Sequence, residues 1–200
     1  MDLAALFLTF GAIFLVELPD KTFVATLVLA TKYRPLLVWI GVGLAFTVQT
    51  TVAVTLGKVV TVLPEGVVKG ASIALFLAGA ALLVREGLKH RRAAEEDDGA
   101  EFGEKARPAD GWRAVLASFV VLFAAEWGDL SQLLTLSLSA RYDAPVAVFL
   151  GALAALLTVS GLAVVVGRSL LRVVPIHVLH FAGAGVCGLL AGLTVVELVR

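Results

Sequence analysis

Two short acidic motifs, Glu17-Leu18-Pro19-Asp20-Lys21-Thr22 and Glu126-Trp127-Gly128-Asp129-Leu130-Ser131-Gln132, are set inside otherwise apolar stretches. Each stretch is long enough to cross a bilayer, and each motif falls near its middle. A charged side chain at that depth costs roughly 2.5–3.5 kcal/mol on insertion scales. Four carboxylates facing lipid would be prohibitive, so they have to face a shared polar interior. On a continuous helix Glu17 and Asp20 are i, i+3 neighbours that project from one face, and Glu126 and Asp129 repeat that spacing. Four such groups around one point, with neutral oxygens from Thr22, Thr26, Ser131, Gln132 and Thr135 beside them, suit a hard cation: magnesium, calcium or manganese. No histidine or cysteine lies near either motif, and the one methionine is the first residue. Zinc, copper and nickel are disfavoured accordingly.

Lys21 breaks the match between the motifs, because Leu130 takes its place in the second. It lies beside Asp20 and four residues from Glu17, within reach of either carboxylate. Four acids less one lysine leave a site charge of −3; a divalent ion brings it to −1, and one proton closes the balance. Crowded carboxylates favour proton binding when the ion is gone. We therefore expect cation and protons to compete for one cluster, an expectation that transport indifferent to an imposed pH gradient would remove. Interhelical glue closed by Lys21 is the bland alternative, and it leaves two acid pairs against a single lysine. Pro19 lacks an amide proton and should kink its helix; Gly128 holds the corresponding place in the second motif, and backbone carbonyls freed at these points could join the ligands. Gln49, Thr47 and Thr50, with Ser160, are candidates to line a path or to bond between helices.

The elements that must hold these groups follow from composition. Hydrophobic residues make up 60% of the 200 and charged residues 16%, against about 25% charged in a soluble domain, and mean hydropathy is +0.97. The fold class is an all-α integral membrane protein. Six spans of about 20 residues are expected at 3–31, 36–56, 67–88, 112–140, 145–166 and 177–199. The first and fourth are long enough to cross only with tilt or a break. The apolar start runs directly into Glu17 and lacks a basic leader, so it reads as the first half of a span rather than a signal peptide. A first three-helix unit covers 1–88, a charged hydrophilic linker 89–111, and a second unit 112–200. Net charge is zero, and nothing points to nucleic acid. Cys187 reads as a small apolar residue. His177 and His180 read as interfacial, Glu86 and Glu197 as helix-end carboxylates near water, and the glycines at 183, 185, 188 and 192 as a close-packing face.

With six spans, the first, third and fifth loops share a side. They hold Lys32, Arg34, Arg85, Lys89, Arg91, Arg92, Lys105, Arg107, Arg113, Arg168 and Arg172, whereas the other side has Lys58, Lys69, Arg141 and Arg200. The basic side should be cytoplasmic, placing the central loop inside and both termini outside a cell membrane. The halves also repeat. Glu17, Asp20, Thr22, Thr26 and Tyr33 recur 109 residues later as Glu126, Asp129, Ser131, Thr135 and Tyr142; Gly41, Thr50, Gly57 and Lys58 then correspond to Gly151, Ser160, Gly167 and Arg168 after one inserted residue. A unit of three spans inverts its successor, and inverted repeats build many secondary transporters with a site at the repeat interface.

At these motifs the chain resembles the Gdt family, the manganese and calcium transporters marked by a duplicated E-x-G-D-[KR]-[TS] signature and placed in the lysine-exporter superfamily. The likeness spans two three-helix halves, a charged central loop and one signature in each first helix. It departs at Pro19, where the pattern has glycine, and at Leu130, where it has a basic residue. What the resemblance implies is cation/proton antiport with Glu17, Asp20, Glu126 and Asp129 as ligands, and no cofactor beyond the transported ion and proton. The chain is then not an enzyme: an intramembrane hydrolase of lipid phosphates would need arginines or a glycine-rich cradle beside the acids, and neither motif has one. An exporter of small amines or amino acids is a third reading, in which the carboxylates bind an ammonium group, and a passive channel a fourth. Membrane lipid and the ion are the expected partners; oligomeric state is open, a homodimer included.

Overall fold

The computed structural model describes residues 2–18, 21–60, 64–92, 111–173 and 176–199; side chains at 21, 65, 86–87, 89–92, 166–173, 176–180, 182–183, 186 and 197 lie outside that description. Eight helices run through the described residues, with no strand among them: α1 Leu3–Glu17, α2 Lys21–Lys32, α3 Pro35–Val60, α4 Glu65–Arg92, α5 Trp112–Ala125, α6 Leu130–Arg141, α7 Pro145–Val173 and α8 Ile176–Val199. Their starts are set by the sequence. Asp2 caps α1 by accepting from the Ala5 amide at 3.1 Å, and Pro35 and Pro145, equivalent in the repeat, open α3 and α7 where a missing amide hydrogen costs nothing.

Both long first spans are broken at their acidic motifs. α1 and α2 meet at 69°, and α5 and α6 at 73°. Counting each bent pair as one span, five candidate spans are found among the described residues; α8 contributes the apolar stretch Cys187–Val196. Its 24 residues would extend about 36 Å at 1.5 Å per residue, enough for a hydrocarbon core of about 30 Å. Three helices run well past their expected ends: α3 continues to 60, α4 to 92 and α7 to 173. The rest of the expected linker, 93–110, lies outside the described residues.

Polarity is arranged inside out. Leu3, Phe7, Leu77, Val120 and Leu189 are more than half exposed, while Glu17, Thr22, Thr26 and Ser160 are fully buried. This is the pattern of a surface solvated by lipid, and the chain is a membrane protein. The repeat is visible in the packing too: α1 lies on α7 as α5 lies on α3, α2 lies on α7 as α6 lies on α3, and α3 crosses α7 while α4 crosses α8. The matching first-helix contacts are made through matching glycines. A Cβ on Gly151 would stand 2.5 Å from the Leu6 carbonyl oxygen and 3.1 Å from the Thr9 Cβ; a Cβ on Gly41 would collide with the Val115 carbonyl oxygen and stand 2.9 Å from the Ser118 Cβ. Trp39 adds a cross-link between the central helices by donating Nε1–H to the Leu157 carbonyl at 3.0 Å.

The expected glycine face on α8 is corrected. Gly185, Gly188 and Gly192 are exposed, and a Cβ on any of them would meet no atom within 4 Å, so among the described residues they pack against no other helix; Gly183 lies outside that description. At the end of α3, Lys58 pairs with Asp143 at 2.7 Å. The lysine's hydrogen bond and charge hold the Asp143 carboxyl below its ordinary value; this exposed pair's contribution is lost as pH falls through that lowered value.

Candidate metal centre

The breaks turn the acidic motifs into a site. In the second motif Glu126 closes α5, its amide bonding back to the Leu122 carbonyl at 3.0 Å. Gly128 then takes φ +79°, a left-handed turn that a side chain resists by about 1–2 kcal/mol. Asp129 follows as the N-cap of α6, accepting from the Gln132 amide at 2.9 Å and from the Ser131 amide at 3.1 Å. Glu126 and Asp129 therefore do not share a helical face, as their i, i+3 spacing had suggested; one ends a helix and the other begins the next. This directs the amides at the start of α6, and the positive end of its dipole, towards an anionic centre. Gly128→Ala should destabilise the protein by about 1 kcal/mol although the space beside it is open, because the cost lies in backbone conformation; thermal unfolding in detergent measures it.

Across from this turn, α1 delivers Glu17. It is fully buried, Glu126 is 4% exposed, and one carboxylate oxygen from each of Glu17, Glu126 and Asp129 lies within 4.8 Å of the others. An ion equidistant from three oxygens at that spacing would stand about 2.8 Å from each, so a slight contraction reaches calcium's 2.3–2.6 Å and a larger one magnesium's 2.0–2.1 Å. Three like charges so close repel by about 3–4 kcal/mol per pair at an effective dielectric of 20. Asp20 lies outside the described residues, as does the Lys21 side chain.

The neutral candidates separate. Gln49, Thr50, Ser131, Gln132 and Thr135 line a small cavity with Glu126 and Asp129, about 10 Å³ in size and floored by Phe46, Ala53 and Leu156, room for about one water-sized sphere. Ser131 donates its hydroxyl to Asp129 at 2.9 Å, which leaves its lone pairs towards the cavity. Gln132 is committed differently from the ligand expected of it: its Oε1 accepts from the Gly128 amide at 2.7 Å and braces the turn. Thr22 and Thr26 are buried on the α2 side and do not line the cavity. Thr47 is exposed and donates to its own helix at Gly43, so it lines no path; Ser160 is buried and donates to the Leu157 carbonyl at 3.1 Å.

Gln49 holds the break open from α3. Its Nε2 donates to the Phe123 carbonyl at 3.1 Å, one of the acceptors that α5 loses by ending. Gln49→Leu should leave that carbonyl unsatisfied and cost about 1–3 kcal/mol, read as a lowered unfolding temperature. Leu130, the departure from the basic residue, has its own use: its side chain covers Gly79 of α4, where an added Cβ would stand 2.7 Å from the Leu130 Cδ1. Nothing in the acidic motifs foretold the glycine pairs or the Gly79 notch; only the repeated Gly41 and Gly151 hinted at the former.

A helical membrane protein with a buried multi-carboxylate centre at two broken helices is of the kind that handles cations. The profile described as divalent cation/proton antiporter GDT1 matches residues 5–91 and 114–200, two stretches offset by the same 109 residues at both ends, and the chain belongs to this family. Among its relatives are the GDT1-like protein sll0615 of Synechocystis sp., 35% identical over 136 residues (64% of this chain, 66% of that one), and the PAM71-homolog of Arabidopsis thaliana chloroplasts, 30% identical over 196 residues (87% and 54%). GDT1-like protein 2 of Oryza sativa subsp. japonica chloroplasts is 30% identical over 181 residues (80% and 52%). The chain thus spans between about half and two thirds of the length of these curated relatives. No solved structure matches it.

Proposed function

We propose that this protein is a secondary transporter that moves a divalent cation, manganese or calcium, out of the cytoplasm in exchange for protons. The observation that carries this reading is the meeting of Glu17 from one half with Glu126 and Asp129 from the other, one oxygen of each within 4.8 Å of the rest. Asp20, equivalent to Asp129, completes the set in this proposal, and Ser131 supplies a neutral ligand. Oxygen donors alone suit a hard cation. Protons and the ion alternate at the cluster because the repulsion of its carboxylates is relieved by either.

The proposed cycle follows from the repeat. Two inverted three-span units rock about the fixed acids, so that the ion enters from the cytoplasm and protons replace it from outside. In this reading the first, third and fifth loops, which carry most of the basic residues, face the cytoplasm and both termini lie outside. In proteoliposomes, uptake of manganese or calcium should depend on an imposed pH gradient and should alkalinise the lumen, because protons leave as the ion enters. Flux that ignores the gradient would leave a uniporter or channel. Amine transport with no response to divalent ions would replace the reading altogether.

A further inference from the structure

The repeat makes the two routes away from the acids directly comparable. α6 leads from the site to Asp143, at the end of the molecule where Lys58 closes α3; α2 leads to Arg34 at the opposite end. On the Asp143 route Gln49 and Gln132 line the cavity together with Thr50, Ser131 and Thr135. Offsets of 110 and 109 residues place Val159 where Gln49 would be and Phe23 where Gln132 would be. At those places on the Arg34 side the lining is apolar: Phe23, Val159 and Ala163, all at most 1% exposed, form a packed cluster joined by Phe14, Leu18 and Leu162.

Among the equivalent hydroxyls nearest the acids, all buried, hydrogen bonding is unequal in the same sense, although Ser137 further along α6 is also without a partner among the described residues. Thr22 and Thr26, equivalent to Ser131 and Thr135, are fully buried beyond the cavity, and their hydroxyls have no hydrogen-bond partner among the described residues. Ser131 and Thr135 each make a hydrogen bond, to Asp129 and to the Ser131 carbonyl respectively. An unsatisfied buried hydroxyl is costly, so Thr22 and Thr26 are suited to a second state in which their side of the site is wet.

We propose that Phe23 and Val159 form a hydrophobic gate on the Arg34 side of the site, closed in this structure, while the glutamines keep the Asp143 side polar. The proposal rests on the reading of the acids as an ion site, and it adds that the two half-routes differ by sequence rather than by conformation alone. An apolar constriction excludes an ion by excluding its water, and Phe23 has to leave Val159 before a cation passes. Gln49 and Gln132 provide no such barrier, so the Asp143 side is closed in the alternate state by helix movement instead.

The test is thiol accessibility in a background with Cys187→Ala. Thr135→Cys and Thr26→Cys, at equivalent positions, are reacted with a membrane-impermeant maleimide in vesicles of each orientation. Thr135→Cys should react at least tenfold faster than Thr26→Cys, and from the Asp143 side. Adding Phe23→Ala should raise the rate at Thr26→Cys at least tenfold from the Arg34 side, whereas Phe23→Leu should leave it slow. Val159→Ala serves as the second opening variant, and gel filtration verifies that each protein is folded. Equal rates at the two cysteines, or no change on opening with either alanine variant, would overturn the gate. The labelling needs no bound ion, so manganese binding to the same preparations separately decides whether the ion-site reading holds.

Discussion

Asp129→Asn is expected to abolish cation transport while leaving the protein folded and close to the parent in thermal stability. Asp129 performs two tasks through the same carboxylate: it caps α6 by accepting from the Ser131 and Gln132 amides, and it contributes a charged oxygen to the cluster with Glu17 and Glu126. Asparagine caps a helix about as well as aspartate, so the first task survives. The second does not, because at the proposed ion site a neutral amide would replace a carboxylate. Changes in groups that only support a metal's ligands already cost about 10–100-fold, and losing a charged ligand should reduce transport by at least about 100-fold. Asp129→Ala loses both tasks and should also lower stability by about 0.5–2 kcal/mol. Initial rates in proteoliposomes, beside unfolding temperatures in detergent, separate the two effects; normal transport by Asp129→Asn would remove this residue from the site.

Gly41→Ala and Gly151→Ala should each destabilise the protein by about 1–3 kcal/mol, as overpacking does, whereas Gly11→Ala should be neutral or stabilising. The chemical change is the same in all three. At Gly41 and Gly151 the new methyl would meet backbone oxygens of Val115 and Leu6, which no rotamer change can move, while at Gly11 nothing lies within 4 Å. In a helix, alanine is otherwise favoured over glycine by about 0.8–1.0 kcal/mol, so the sign at Gly11 is set by propensity. These contacts hold α1 against α7 and α5 against α3, which places Glu17 opposite the turn that carries Glu126 and Asp129. Loss of stability in both glycine variants should therefore be accompanied by weaker ion binding. Unfolding temperatures that match the parent would show that the helices approach less closely than described.

The sequence carried the class, the breaks in the long spans and the meeting of Glu17 with Glu126 and Asp129, because each depends on residue type at bilayer depth; Asp20, expected beside them, lies outside the described residues. Polar residues that cannot face lipid must meet inside, and a 109-residue repeat says which ones meet. It did not carry the local geometry. An i, i+3 spacing implied a shared helical face, but Gly128 with positive φ and Asp129 as a cap are favoured once the amides of α6 can face the acids. Gln132 carried the right chemistry and a different duty, since its oxygen was needed by the Gly128 amide more locally than by an ion. Thr47 was placed near the path by composition alone; its position relative to Gln49 and Thr50 turns it outwards on α3. The glycines of α8 were read as a packing face from spacing, and Gly185, Gly188 and Gly192 are turned away from every other described helix. The unequal residues at equivalent places were legible as Phe23 against Gln132 and Val159 against Gln49, but only packing shows that the apolar pair is buried together.

Direct titration of the purified protein with manganese, followed by the resonance of the free aqueous ion, is the most decisive measurement. Carboxylates from opposite halves forming one centre should bind one ion per chain, and Glu17→Gln alone or Glu126→Gln alone should each abolish that binding. Wild-type affinity in either variant, or two ions per chain of which each substitution removes one, would show that the halves do not share a site.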